Sequence, residues 1–146
     1  MKRPSKAIKT LLWVSELKER EAKERFQRAC RALSELEAIL REITERPKKM
    51  FSELEGRCLT GLELQFFSRG LEMVFQEKVK VEKILENKRR EVENLREQAL
   101  KLHQKRRTAE TLYQKAWQAY RRELERQELK EADDLVLLRR GKDEAL

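Results

Sequence analysis

Turn-forming residues are scarce in this chain. Four Gly and two Pro in 146 residues are too few for a fold of many short elements joined by tight turns. Aromatic residues make up only 6%, which argues against a thick globular core. Cys30 and Cys58 are the only cysteines. On one continuous helix they would lie about 40 Å apart, while a disulfide needs Cα atoms within about 7 Å. No disulfide is therefore expected, and no second motif completes a metal site. Reduced thiols fit a cytoplasmic protein. The lone histidine, His103, reads as a solvated or seam-flanking imidazole, without the Ser and Asp partners of a catalytic triad. No GxxxxGK[ST] stretch cradles a phosphate. No run approaches the roughly 20 apolar residues of a membrane span. The early cluster Ile8, Leu11, Leu12, Trp13 and Val14 is too short for a signal-peptide core and lacks a cleavage site. Together these absences predict a non-enzyme without metal or cofactor.

What the chain has in abundance is charge. Charged residues make up 42%, with 35 basic against 27 acidic and a net charge of +8. Nucleic acid or an anionic membrane becomes a possible partner at that balance. The two signs are interleaved, however, as on solvated helix faces. Disorder is the competing reading of such polarity, and a sustained apolar repeat opposes it.

That repeat runs from Phe67 to Tyr120. Alternate steps of four and three land on Leu71, Val74, Lys78, Val81, Leu85, Lys88, Val92, Leu95, Ala99, Leu102, Arg106, Ala109, Tyr113, Ala116 and Tyr120, where only Lys78, Lys88 and Arg106 are charged. A period of 3.5 residues held this long predicts a helix packed along a narrow seam. An earlier seam reads Ile8, Leu12, Ser15, Glu19, Ala22, Phe26, Ala29, Leu33, Leu36, Leu40 and Ile43, with Ser15 and Glu19 as weak points. Pro47 either ends or kinks this first helix, and a kinked or broken helix resuming to about Leu54 is favoured. The stretch Gly56-Arg57-Cys58-Leu59-Thr60-Gly61 is the bend. The expected fold class is all-α: an antiparallel two-helix coiled-coil hairpin forming one domain over 1–146. Helix one covers about 5–55, the bend about 56–61 and helix two about 62–140.

In an antiparallel hairpin, facing residue numbers add to a constant. Phe26 with Val92, Leu33 with Leu85 and Ile8 with Ala109 give 117 or 118, placing the centre between Cys58 and Leu59. A slip of one heptad would move that centre by about 3.5 residues. In this register helix two has no partner beyond about Tyr113, and its C-terminal part overhangs by about 40 Å. Apolar residues persist there, as Leu124, Leu129, Ala132, Leu135, Val136, Leu137 and Leu138. Charge divides along the overhang: Lys101 to Arg122 is mostly basic and Glu123 to Asp134 mostly acidic. Gly141 is expected to end the helix, with Asp143 and Glu144 fraying. Met50, Phe51, Phe66, Phe67, Met73 and Phe75 gather around the bend, either capping the loop end or forming a partner surface. Trp117, with Tyr113 and Tyr120, lies where helix one runs out, a place where bases could also stack.

The chain resembles the flagellar export protein FliJ family over nearly its whole length. The resemblance rests on Leu11-Leu12, Glu21-Ala22 and the glycine bend followed by Phe66-Phe67. It rests above all on the ending from Glu123 to Leu135, which is similar to the family's R-x-E-Q-K-E-x-D-E close. The resemblance implies a cytoplasmic component of the flagellar type III protein export apparatus, serving motility. It would be a coiled coil similar to the central stalk of rotary ATPases, peripheral to the inner face of the cell membrane at the flagellar base. Its implied partners are the hexameric export ATPase (FliI-like), the export gate (FlhA-like) and export chaperones. The gate-contacting positions would fall on Phe67, Leu71, Val74 and Lys78, and the ATPase ring would meet Leu124, Leu129, Asp133 and Leu135. Alternatives are the stalk protein of a virulence type III secretion system, a basic coiled-coil nucleic-acid binder, and a plain structural dimer or bundle.

Overall fold

The computed structural model describes residues 3–145. Its element order is α1 (Lys6–Leu54) followed by α2 (Gly61–Ala145). Ser5 caps α1, its Oγ accepting a hydrogen bond from the Ile8 amide at 3.4 Å. The helix runs unbroken through Pro47, which is half-buried. Gly56 lies at φ 77°, a conformation that costs glycine little and closes a helix C-terminus. Thr60 and Glu63 then form a capping box for α2. The Glu63 amide donates to Thr60 Oγ1 at 3.3 Å, and the Thr60 amide donates to Glu63 Oε2 at 3.4 Å. The sequence signal for this start is Thr60-Gly61-Leu62-Glu63.

Contacts divide the chain into two compact units, one of residues 1–20 with 100–146 and one of residues 21–99. Each takes part of both helices. In the 21–99 unit, Phe51 meets Phe67 edge to face at 5.3 Å. Arg46 pairs with Glu77 at 3.2 Å, and Glu37 with Arg89 at 3.9 Å. Rising numbers on α1 meet falling numbers towards α2's start, so the helices run antiparallel. In the other unit, Leu11 and Lys18 of α1 line one groove with Leu112 and Lys105 of α2. The heptad seam is the buried side in both units. All its positions on α1 and α2 are buried or half-buried. Among the described residues, Ala22, Ala29, Ile43, Leu85 and Ala109 are the buried apolar ones. Three of these five are alanines, so little apolar area is hidden per turn.

The register differs from the one expected. Away from the bend, the numbers of paired residues add to 123 for Arg46 with Glu77, 126 for Glu37 with Arg89, and 125 for Glu19 with Arg106. Ala109 faces the Leu11–Ser15 stretch rather than Ile8. Next to the bend Phe51 with Phe67 keeps the expected total of 118, and the displacement, up to about one heptad, is found farther along the helices. Glu19 fits this displacement. Its residue is only 4% exposed, and the displaced register sets it beside Arg106, one of the three charged seam residues of α2. In the expected register Glu19 would face Ala99 and Arg106 would face Leu12, without that ion pair.

The ends move with the register. Leu62, Leu64 and Phe66 open α2 and are more than half exposed, off the face on which Phe67 meets Phe51. At the other end, Tyr113, Ala116, Trp117, Tyr120 and Leu124 remain half-buried. The unpartnered stretch begins near Glu125, not near Tyr113. Residues 125–144 are exposed throughout, and the helix passes Gly141 to reach Ala145. Glycine costs a helix interior only about 1 kcal/mol, and nothing stands within 4 Å of a Cβ built at Gly141. A lone glycine with no following Pro is therefore too weak a stop signal here.

Candidate interaction surfaces

A polar knot crosses the seam where α1 meets α2 in the 1–20 and 100–146 unit. The Glu19 carboxylate accepts from Arg106 Nε, and its other oxygen lies 2.7 Å from His103 Nδ1. Arg106 Nη1 also donates to Glu110 at 2.6 Å. A carboxylate beside a guanidinium is an acceptor only, so Nδ1 of the imidazole carries the proton. The Glu19 side chain is 5% exposed, Arg106 24% and His103 37%. This geometry fits a structural clamp, since each side chain is aimed at a neighbour and not into a substrate cavity. Sequence reasoning treated Glu19 as a weak point and Arg106 as an interruption. The signal that could have joined them is their opposite sign, with Glu19 the one acid on the α1 seam and Arg106 one of three bases on the α2 seam.

Beyond the knot, Trp117 stacks edge to face on Tyr113 at 6.3 Å and on Tyr120 at 5.7 Å. Their rings end the buried part of the seam. From there α2 continues with leucine but without cover. Leu129, Leu135, Leu137 and Leu138 are each more than 60% exposed and Val136 is half exposed. Of the positions read as ring-contacting, Leu129, Asp133 and Leu135 are exposed, while Leu124 is half-buried beside the aromatic group. Acidic side chains dominate this segment up to Asp134, so it presents leucine and carboxylate together.

The positions read as gate-contacting share a different environment. Phe67, Leu71, Val74 and Lys78 are all half-buried, and Phe67 is in ring contact with Phe51 of α1. They serve the seam first. The exposed apolar surface near the bend belongs to their neighbours: Leu62, Leu64, Phe66, Met73 and Phe75, with Met73 70% exposed. The heptad places Phe67, Leu71 and Val74 on the seam and leaves Phe66, Met73 and Phe75 off it, and the burial follows that division.

Cys30 and Cys58 are both free. Among the described residues no group of His, Cys, Asp or Glu is placed to hold a metal ion. No described helix is long and apolar enough to cross a membrane.

Searches of curated proteins and of solved structures return no match for the chain. The model of the flagellar FliJ protein family matches residues 5–143, from the cap of α1 almost to the end of α2. The match takes in the bend, both seams and the bare acidic segment. With a two-helix antiparallel architecture on one side and that match on the other, the chain belongs to the FliJ family and is a coiled-coil protein of flagellar export, a family of non-catalytic components.

Proposed function

We propose that the chain acts as a stalk in the flagellar export apparatus, on the cytoplasmic side of the membrane at the flagellar base. Its bare C-terminal segment of α2 enters the ring of the hexameric export ATPase, and the end near the bend meets the export gate. Export chaperones bind the same protein during substrate delivery. One observation carries this reading: residues 125–144 are helical and wholly exposed although they hold leucines and a run of acidic residues. A lone helix of that length is marginal in water, so a surface that surrounds it would stabilise it. The family match favours the flagellar system over a virulence secretion system.

The gate contact is best served by the seam's margin. Phe66, Met73 and Phe75 offer apolar area already outside the helix pair, whereas using Phe67 and Leu71 would require opening it.

The decisive experiment is a pull-down with the export ATPase, followed by ATPase assays with the chain deleted from Glu123 onward. Stimulation should disappear while the paired helices melt at nearly the same temperature. Stimulation that survives the deletion refutes the ring-binding role of the segment. For the gate, Phe66→Ala should weaken binding with little change in melting, and Phe67→Ala should lower the melting temperature. The reverse pattern would return the contact to the seam.

A further inference from the structure

Along one side of the seam, the unit built from residues 1–20 and 100–146 carries a groove of about 480 Å³, whose lining takes in the seam residues Ser15, Leu102 and Ala109. Leu11, Val14 and Lys18 form one wall, and Lys101, Lys105 and Leu112 the other. The α1 residues step by three and four and those of α2 by four and seven, so each wall is one face of a helix. The furrow between two such parallel ridges runs along the helices for about three turns. Leu11 is 50% exposed and Leu112 49%. Neither is needed to close the seam, which Leu12 and Ala109 line on the inner side.

Charge is one-sided here. Lys18, Lys101 and Lys105 are exposed, and none of them takes part in an ion pair among the described residues. No acidic residue lines the groove, and Glu19 and Glu110 are held by Arg106. An occupant must therefore bring its own acids. It must also bring an apolar ridge, because Leu11, Val14 and Leu112 have nothing polar to offer. An extended peptide would lay unpaired amides and carbonyls against those side chains, whereas a helix satisfies its own backbone. Bases would find no aromatic ring on these walls to stack upon.

We propose that this groove seats a third helix from a partner protein, an amphipathic helix whose apolar ridge is flanked by Asp or Glu, completing a three-helix layer. The site is separate from the ATPase-ring reading, and its test needs no ATPase.

The probe is a labelled synthetic helical peptide with Leu at alternate spacings of three and four and Glu at the flanking positions, titrated into the full chain by fluorescence anisotropy. Two control peptides keep one feature each: the Leu ridge with Lys flanks, and the Glu flanks with Ser in place of Leu. Binding should be strongest for the Glu-flanked Leu peptide. The double variant Lys101→Glu, Lys105→Glu should weaken it about tenfold, two surface charge contacts each reversed, with helical content by circular dichroism unchanged. Leu112→Ser should weaken it as well, since that side chain is half exposed and leaves the seam intact.

Equal binding of the Lys-flanked peptide, or indifference to both variants, overturns the proposal. Equal binding of the Ser peptide, or of single-stranded DNA with the same dependence on Lys101 and Lys105, reduces the groove to a polyanion contact and also overturns it. Concentration-dependent self-association in sedimentation, lost both in the charge variant and on deletion from Glu123, would make a second copy the occupant and not a partner protein.

Discussion

Glu19 favours the register in which it meets Arg106 and His103. A heptad seam is degenerate, because a slide of seven residues puts apolar positions opposite apolar positions again. A buried charge that finds its partners in one register and not in the next lifts that degeneracy. Removing Glu19 leaves Arg106 with Glu110 and 24% exposed, so Glu19→Ala should destabilise the paired helices by about 1.5 kcal/mol in denaturant unfolding, and Arg106→Ala, which takes the guanidinium from the buried carboxylate, by more. The double change Glu19→Leu, Arg106→Leu should recover most of that loss. Register is read separately, in a Cys30→Ala, Cys58→Ala background, from bridging of paired cysteines by a short bismaleimide. Cysteines at Glu37 and Arg89 should bridge in the native chain, and a pair at Arg28 and Arg89 should not. The leucine double variant should allow both. A second residue-scale effect concerns Gly70. A Cβ there would lie 3.3 Å from Met50 Cε, the mobile end of a flexible side chain. Gly70→Ala should then stabilise the fold by about 0.5–1 kcal/mol through helix propensity, measured as a rise in melting temperature.

The two helices were legible as elements because their signals are local. Periodicity marked both seams, Ser5 marked one start, and the glycines at 56 and 61 marked the bend. What stayed hidden was local too, but depended on geometry. Thr60 and Glu63 grip one another across the first turn of α2, and Thr60→Ala should cost about 1 kcal/mol, visible as faster amide exchange at Leu62 and Glu63. Pro47 sits inside α1 without ending it, since a proline costs about 3 kcal/mol and a long packed helix can absorb that locally. Gly141 likewise marks no boundary. A breaker residue fixes where an element is weak, and only the surrounding packing fixes whether it stops.

At the scale of the molecule, the family and the two-helix plan were readable from the residues, and the surfaces only in part. The seam names which side of each helix is hidden. It does not name the end of cover, because that depends on register. Hence Phe67 and Leu71 count among the packing residues, while Phe66 and Met73 stand outside. The tail after Leu124 has the opposite character, since residues 125–144 are all exposed. With none of those side chains buried, its helix opens at little more than the cost of its own hydrogen bonds. Trypsin should therefore cut first at Arg126, Lys130, Arg139 or Arg140, well before any site in the paired region. A protein so built carries its own expiry mark: copies engaged at the tail are shielded, and surplus copies offer the cell's proteases an easy first bite. Its abundance would then follow that of whatever surrounds the tail.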